Sequence, residues 1–305
     1  MNILITGASG LLGINLALEA ARQHTVFGTL NSQKLKSEAF TVIETDLLEP
    51  GAVERVFDES QPDWVIHCAA LANLEACEAN PEFARQLNTE LPKNMAIQCR
   101  KGGARLLHVS TDAVFDGLRG NYTEQDTPSP LSVYSQTKLA AESAVAEACP
   151  DAIIARINLF GWSMSGERSL AEFFFNNLQV GVPIIGFDDV YFCPLLANDM
   201  ADIFLKMMEK GLRGTYHVVS SESISKYDFG VAIARKFGLD HKIITPKSVK
   251  DSSLTVARSP NLTLKIDKLI HDLGEVPPKI STAVDRFYTL YQQGYPQILK
   301  EMRRL

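Results

Sequence analysis

The sequence predicts an α/β protein, a doubly wound parallel sheet with helices on both faces, followed by a smaller, mixed α/β C-terminal lobe. Three observations carry that reading. Short β-rich apolar runs alternate with amphipathic stretches through the first half, the runs are apolar enough to be covered on both faces, and a glycine-rich turn marks the first β–α junction. Taken in order, Ile3 to Thr6, Thr25 to Thr29, Thr41 to Thr45, Trp64 to Cys68, Arg105 to Ser110 and Ala152 to Arg156 read as strands, with helical patterns between most of them. The pattern from about Pro81 to Lys101 reads as one helix stopped by Gly102-Gly103. After Gly161 the rhythm changes to a Phe173-Phe174-Phe175 segment, a Gly/Pro-containing stretch from Gly181 to Pro194, and several later helical patterns. The expected division is therefore 1–161 for the main domain and 162–305 for the second lobe, with a returning segment near 195–215. Within that segment Met200, Ile203, Phe204 and Met207 share one helical face that can pack back on the first domain. No internal repeat or low-complexity tract marks a linker.

With 46% hydrophobic and 22% charged residues in 305, the chain has the composition of a folded soluble protein with room for a sizeable core. A net charge of −6 argues against nucleic acid as a partner, because that affinity rests on clustered Lys and Arg. The five cysteines, Cys68, Cys77, Cys99, Cys149 and Cys193, are odd in number and lack any C-x-x-C pair. Neither a metal site nor a disulfide framework is expected, and reduced thiols suit a cytoplasmic location. No export signal is read at the N-terminus, and no apolar run approaches the roughly 18–20 residues a membrane span needs.

The first strand leads into Gly7-Ala8-Ser9-Gly10-Leu11-Leu12-Gly13. Residues without a Cβ suit a sharp bend, a close approach to a pyrophosphate, and tight helix–sheet packing, while the helix N–H groups attract the anion. Gly7, Ser9, Gly10, Leu11, Leu12 and Gly13 are accordingly candidate dinucleotide-binding residues, although glycine turns also serve structure alone. The second strand ends in Gly28-Thr29-Leu30-Asn31, without the acid that would bind an NAD ribose. Its absence, with Lys34 nearby, points to NADP over NAD, both staying open, with Asn31 at the ribose. Asp46 and Leu47, after the third strand, are candidates for the adenine side; a surface Asp ending a strand is the plain alternative.

Tyr134 and Lys138 stand four residues apart, which on a helix brings both to one face. A nearby ammonium stabilises phenolate and lowers the tyrosine pKa, allowing proton exchange with a carbonyl or alcohol near neutral pH. Val109-Ser110-Thr111-Asp112 ends a predicted strand on the carboxyl edge of the same sheet, where open α/β sheets bind ligands. Thr111 is then the group to hold the reacting oxygen, Tyr134 the proton donor, and Lys138 the residue that tunes Tyr134 and holds a nicotinamide ribose.

Gly7-x-x-Gly10-x-x-Gly13, His67-Cys68-Ala69-Ala70, Asn88, Ser110 to Gly117 and Tyr134-x-x-x-Lys138 together resemble the extended short-chain dehydrogenase/reductase family, of Rossmann type. Asp112 to Gly117, Tyr122-x-Glu124-x-Asp126 and Pro130-Leu131-Ser132-Val133-Tyr134 are most similar to its dTDP-4-dehydrorhamnose reductase branch, whose relatives include the regulatory β-subunit of methionine adenosyltransferase. The resemblance implies that Ala69 and Ala70 lie beside the cofactor and that Asn88 supports the active-site backbone. His67 and Cys68 read as buried strand residues. Ala257-Arg258-Ser259-Pro260-Asn261 resembles the family's Arg-Pro-x-Asn segment, making Arg258 a candidate for the substrate diphosphate, with a surface or salt-bridged arginine as the alternative. Ala113 stands where the branch usually carries tyrosine, and Leu159 near an expected tryptophan. Ala113 also lacks the carboxylate that sugar dehydratases place there, which disfavours dehydration.

The implied function is a cytoplasmic, NAD(P)H-dependent reductase of the C4 ketone of a nucleotide-linked deoxysugar. Ser110, Thr111, Asp112, Ala113, Asn158 and Arg258 are its expected substrate contacts. A nucleotide-sugar is the expected partner, a homodimer is allowed, and neither nucleic acid nor membrane is expected. A non-catalytic NADP-binding regulatory protein and a nucleotide-sugar epimerase are the alternatives.

Overall fold

The computed structural model describes residues 1–251 and 259–303. Among them, seven parallel strands form the central sheet: β1 (Asn2–Thr6), β2 (Thr25–Leu30), β3 (Thr41–Glu44), β4 (Trp64–His67), β5 (Arg105–Thr111), β6 (Ile153–Ile157) and β7 (Gly214–Val218). Their order is β7-β6-β5-β4-β1-β2-β3. The chain begins mid-sheet, fills one side through β2 and β3, then crosses to β4 and fills the other. The order reverses between β1 and β4, so a crevice opens there at the carboxyl ends of the strands.

Both faces of the sheet are covered, which is why its strands read as apolar runs rather than alternating ones. On one face Leu4, Val65, Leu106 and Ile154 pack with Val53 and Val56 of α2 (Ala52–Ser60), Met95 and Cys99 of α3 (Leu91–Gly102), and Val145 of α4 (Val133–Ala148). On the other, Ile3, Ile5, Ile66, Leu107 and Ala155 meet Leu12 and Leu16 of the helix that follows β1, Leu11–Ala20 (α1 in chain order). A later helix, α6 (Ala197–Glu209), packs on α1 with Met200, Ile203, Phe204 and Met207 buried, and delivers the chain to β7.

The remaining late elements are held by aromatics. Trp162 stacks on Phe287 at 4.0 Å, with Phe175, Phe237 and Tyr291 around it. These rings join α5 (Leu170–Gln179), α7 (Lys226–Phe237) and α8 (Ile280–Gln292), while α9 (Tyr295–Met302) ties back to α1 through the Tyr295 hydroxyl on Asn15 at 2.9 Å. Short strand pairs of both senses complete this region, Ile184–Phe187 with Ile244–Lys247 in parallel and Tyr191–Phe192 with Ile224–Ser225 antiparallel. Among the described residues no helix is long and apolar enough to cross a membrane.

The helix expected from Pro81 to Lys101 is divided. Pro81–Arg85 is α-helical, Gln86–Glu90 is a π turn, and α3 follows. Pro92 lacks the N–H that an α-helix would aim at the Asn88 carbonyl, so the regular ladder is broken there.

Candidate active site

Three glycines in the β1–α1 turn meet three different surroundings. Gly7 bends the chain at φ +67°, and a Cβ on it would stand 2.9 Å from the Ala69 backbone. A Cβ on Gly13 would lie 2.2 Å from the Gly7 carbonyl oxygen, so α1 approaches the turn as closely as backbone allows. Gly10 would meet only that same oxygen, at 3.1 Å, and is otherwise open to an approaching group. It also begins α1, whose first turn has neither a side-chain cap nor an acidic residue. The first N–H groups of the helix therefore face the crevice without a competing side chain, which suits a pyrophosphate.

Ser9 and Leu11 are partly exposed in this turn and Leu12 is buried. Ala69 and Ala70 follow β4, and the Ala69 N–H donates to Thr6 Oγ1 at 3.2 Å, beneath Gly7. Asn31 is exposed just past β2. Asp46 and Leu47 follow β3; the Asp46 carboxylate accepts the Leu48 N–H at 2.9 Å and so caps its own turn. All these positions lie along one carboxyl edge of the sheet. Lys34, read as favouring a 2′-phosphate, is exposed past β2 and lies 3.0 Å from Glu44 in a surface ion pair.

The catalytic candidates meet across the crevice from the glycine turn. Thr111 ends β5, while Tyr134 and Lys138 lie one turn apart on α4, which the Ser132–Ser135 capping box starts. Burial pushes the Tyr134 phenol up to about 12, against a hydrogen bond from Thr111 that favours ionisation, with Asp112 and Cys77 adding to the rise. This corrects the expectation that Lys138 lowers it: the Lys138 ammonium is turned toward the sheet, donating to the Val109 carbonyl at 2.6 Å and to His108 Nε2 at 3.4 Å. Burial also brings Lys138 down to about 8, against Glu142 and Cys68, which favour its charge.

On the substrate side, Asp112 is buried and accepts from Asn158 Nδ2 at 2.6 Å. Burial raises its pKa to about 6, against hydrogen bonds from Asn158 and Thr111. Ala113 follows in a short 3-10 turn that the Thr111 hydroxyl caps. Ser110 does not join them: its hydroxyl donates to Glu142 at 2.6 Å, inside a buried Glu142–Arg156 ion pair. Thr111 is therefore the hydroxyl that faces Tyr134. Arg258 lies outside the described residues. The adjoining Asn261 N–H bonds the Gly117 carbonyl at 3.0 Å, and Lys265 N–H bonds that of Tyr122 at 2.7 Å, so the Asp116 to Glu124 motif docks this late segment beside β5.

Asn88 serves the backbone as the resemblance implies. It accepts from Leu71 N at 2.8 Å and donates to Leu71 O at 3.1 Å and Thr137 Oγ1 at 3.2 Å, joining the loop after Ala70 to α4. The sequence reading missed His108 and Glu142. Their signal was present, since Tyr134, Lys138 and Glu142 share a four-residue helical spacing, and His108 and Ser110 share a strand face.

Comparison with known proteins follows the same lines. The family model described as the RmlD substrate binding domain matches residues 1–293. Methionine adenosyltransferase 2 subunit beta of Mus musculus is 33% identical over 277 residues, covering 88% of this chain and 81% of that one. The probable low-salt glycan biosynthesis reductase of Haloferax volcanii is 31% identical over 286 residues, 92% of this chain and 95% of its own. A crystal structure of a dTDP-4-dehydrorhamnose reductase from Clostridium acetobutylicum superimposes with a TM-score of 0.81 at 28% identity, over 96% of this chain and all of that one.

Proposed function

This chain belongs to the RmlD substrate binding domain family, and from that premise we propose that it is an NAD(P)H-dependent reductase of the C4 ketone of a nucleotide-linked deoxysugar. The observation that carries the proposal is the bond between Thr111 at the end of β5 and Tyr134 on α4, with Lys138 one helical turn further along α4. The dinucleotide, NADP or NAD, supplies the hydride when bound. Gly7, Gly10 and Gly13 with the uncapped start of α1 hold its pyrophosphate, Asn31, Asp46 and Leu47 border its adenosine, and Ala69 and Ala70 line its path. Tyr134, whose pKa of about 12 keeps the phenol protonated, donates its proton to the ketone oxygen as negative charge grows there. Thr111, whose hydroxyl bonds Tyr134 and favours its ionised form, holds that oxygen and steadies the phenolate left behind, and Lys138 binds the ribose. Asp112, Ala113 and Asn158 contact the sugar nucleotide and Arg258 is assigned to its diphosphate from the sequence, with residues 162–305 forming most of its lobe and the cytoplasm as its place of action.

Tyr134→Phe is the test, since the ring stays and the transferable proton goes. Turnover of NADPH with a nucleotide-linked 4-ketosugar falls by about 10²–10⁴-fold, while fluorescence titration shows cofactor binding unchanged. Turnover within a few-fold of the parent removes Tyr134 from the chemistry. Two readouts separate the alternatives. Reduced cofactor disappears one-for-one with product in a reductase and is regenerated in an epimerase. A regulatory subunit, the reading favoured by likeness to the methionine adenosyltransferase subunit, binds cofactor and consumes none.

A further inference from the structure

Beneath the candidate site, a row of polar side chains crosses the sheet on the face that α3 and α4 cover. Thr6, His67 and His108 are neighbours in the registers of β1, β4 and β5, one step above the apolar Leu4, Val65 and Leu106. Thr6 Oγ1 bonds His67 Nδ1 at 2.7 Å, the two imidazoles stack at 5.7 Å, and His108 Nε2 meets Lys138 Nζ. Both histidines are fully enclosed, and burial, with Lys138 adding to it, holds both rings neutral. An ammonium can only donate, so His108 Nε2 is the acceptor and the ring proton sits on Nδ1.

That Nδ1 has no hydrogen-bond partner among the described residues. A buried donor left unpaired destabilises a fold, and a leucine or phenylalanine on β5 would avoid the cost. A hydrocarbon ring would serve the stack on His67 equally well, whereas Lys138 uses the imidazole nitrogen. We infer that His108 is a positioning residue, whose Nε2 holds the Lys138 ammonium at the end of β5 and keeps it charged. The role in catalysis rests on the proposed reading of Lys138 as the ribose-binding group. Other charged and titratable groups act on Lys138 as well: Glu142 from α4, shared with Arg156 of β6, and His67 and Cys68 from β4 and its end. Glu142 is also bonded to Arg156 and Ser110, and Cys68, half-buried just past β4 rather than buried within it as the sequence suggests, has its thiol pushed up to about 12. Glu142 and Cys68 favour the Lys138 charge without touching it, while the Val109 carbonyl and His108 Nε2 are the acceptors in contact with the ammonium.

The experiment compares the parent with His108→Phe, which keeps a ring against His67 but has no acceptor, and His108→Gln, which restores one. Lysine labelled at the ε-carbon is titrated by NMR in the protein without cofactor, the Lys138 signal being assigned by its loss in Lys138→Met. The parent midpoint near pH 8 should fall by about one unit in the Phe variant and recover in the Gln variant. NADPH affinity, read by fluorescence, should then drop about fivefold at pH 8, the fraction of charge lost by a one-unit shift, and be unchanged at pH 6. Melting temperature stays at or above that of the parent, which a structural role would not give. If the Phe variant fails to fold, His108→Leu carries the same expectations. A midpoint that does not move, or one that Gln fails to restore, overturns the inference. Midpoints that move as stated in a parent that neither binds NADPH nor turns over overturn the proposed function and leave the positioning role standing.

Discussion

Gly10 and Gly13 stand three residues apart in one turn, and an added methyl meets different obstacles at each. At Gly13 the methyl is driven into the Gly7 carbonyl at 2.2 Å, so the helix or the turn must shift. Gly13→Ala should cost about 1–3 kcal/mol of stability and lower the melting temperature. At Gly10 the only neighbour is 3.1 Å away, so Gly10→Ala should melt near the parent while weakening NADPH binding by roughly tenfold or more, on the order of 1.4 kcal/mol. Parent-like binding in that variant would remove Gly10 from the pyrophosphate site. Glu142 shows how a residue outside the reaction supports it. It answers Arg156 at 2.7 Å and Ser110 at 2.6 Å in the core, so Glu142→Ala strands a buried guanidinium and should cost about 3–5 kcal/mol, read as a fall in the urea midpoint.

At the scale of elements, the π turn from Gln86 to Glu90 places Asn88 where it pairs with both backbone groups of Leu71. Asn88→Ala leaves those groups unpaired, at about 1–3 kcal/mol, and frees the loop after Ala70 from α4. Hydrogen exchange should quicken there while β5 keeps its protection, and kcat should fall more than cofactor affinity; unchanged exchange at Leu71 would show that the loop holds itself. The turn was hidden because the sequence carries only a helical apolar rhythm through this stretch, and Pro92 marks a break without telling its form. The strands from Asn2 to Ile157 were legible because burial on both faces writes them as short apolar runs between turn residues. Most of the late elements were not, since two-residue strands such as Leu159–Phe160 owe their existence to partners far along the chain, here Leu195–Leu196. The same limit explains the site. The glycine turn and the Tyr134–Lys138 pair are local spacings, whereas the turning of Lys138 toward His108 and the loss of Ser110 to Glu142 depend on how α4 lies over β5.

For the whole molecule, the buried histidines set how the fold answers acid. His67, with its pKa brought to about 3 by burial, stays neutral in the folded chain, as does His108, and His217 is also lowered by burial. In the unfolded chain each takes up a proton near its ordinary value of about 6.5. Below that pH the unfolded state binds more protons, so stability is full above about 6.5 and is lost as the pH falls toward 3. For His67 alone the loss is about 2 kcal/mol by pH 5. Asp112 works in the opposite sense, because its folded pKa of about 6 lies above the unfolded value, and the folded chain gains a proton as the pH falls through that window. Asp199 is raised by burial too, against its bond to Arg286, and adds to that offset. The His67 loss exceeds the Asp112 gain over this range, and His108 and His217 add to the loss, so the melting temperature should drop between pH 7.5 and pH 5. His67→Phe keeps a ring in the stack and removes the loss of about 2 kcal/mol that His67 brings by pH 5. Its melting temperature should accordingly change much less over the same range, and a drop as steep as the parent's would show that acid enters the fold elsewhere.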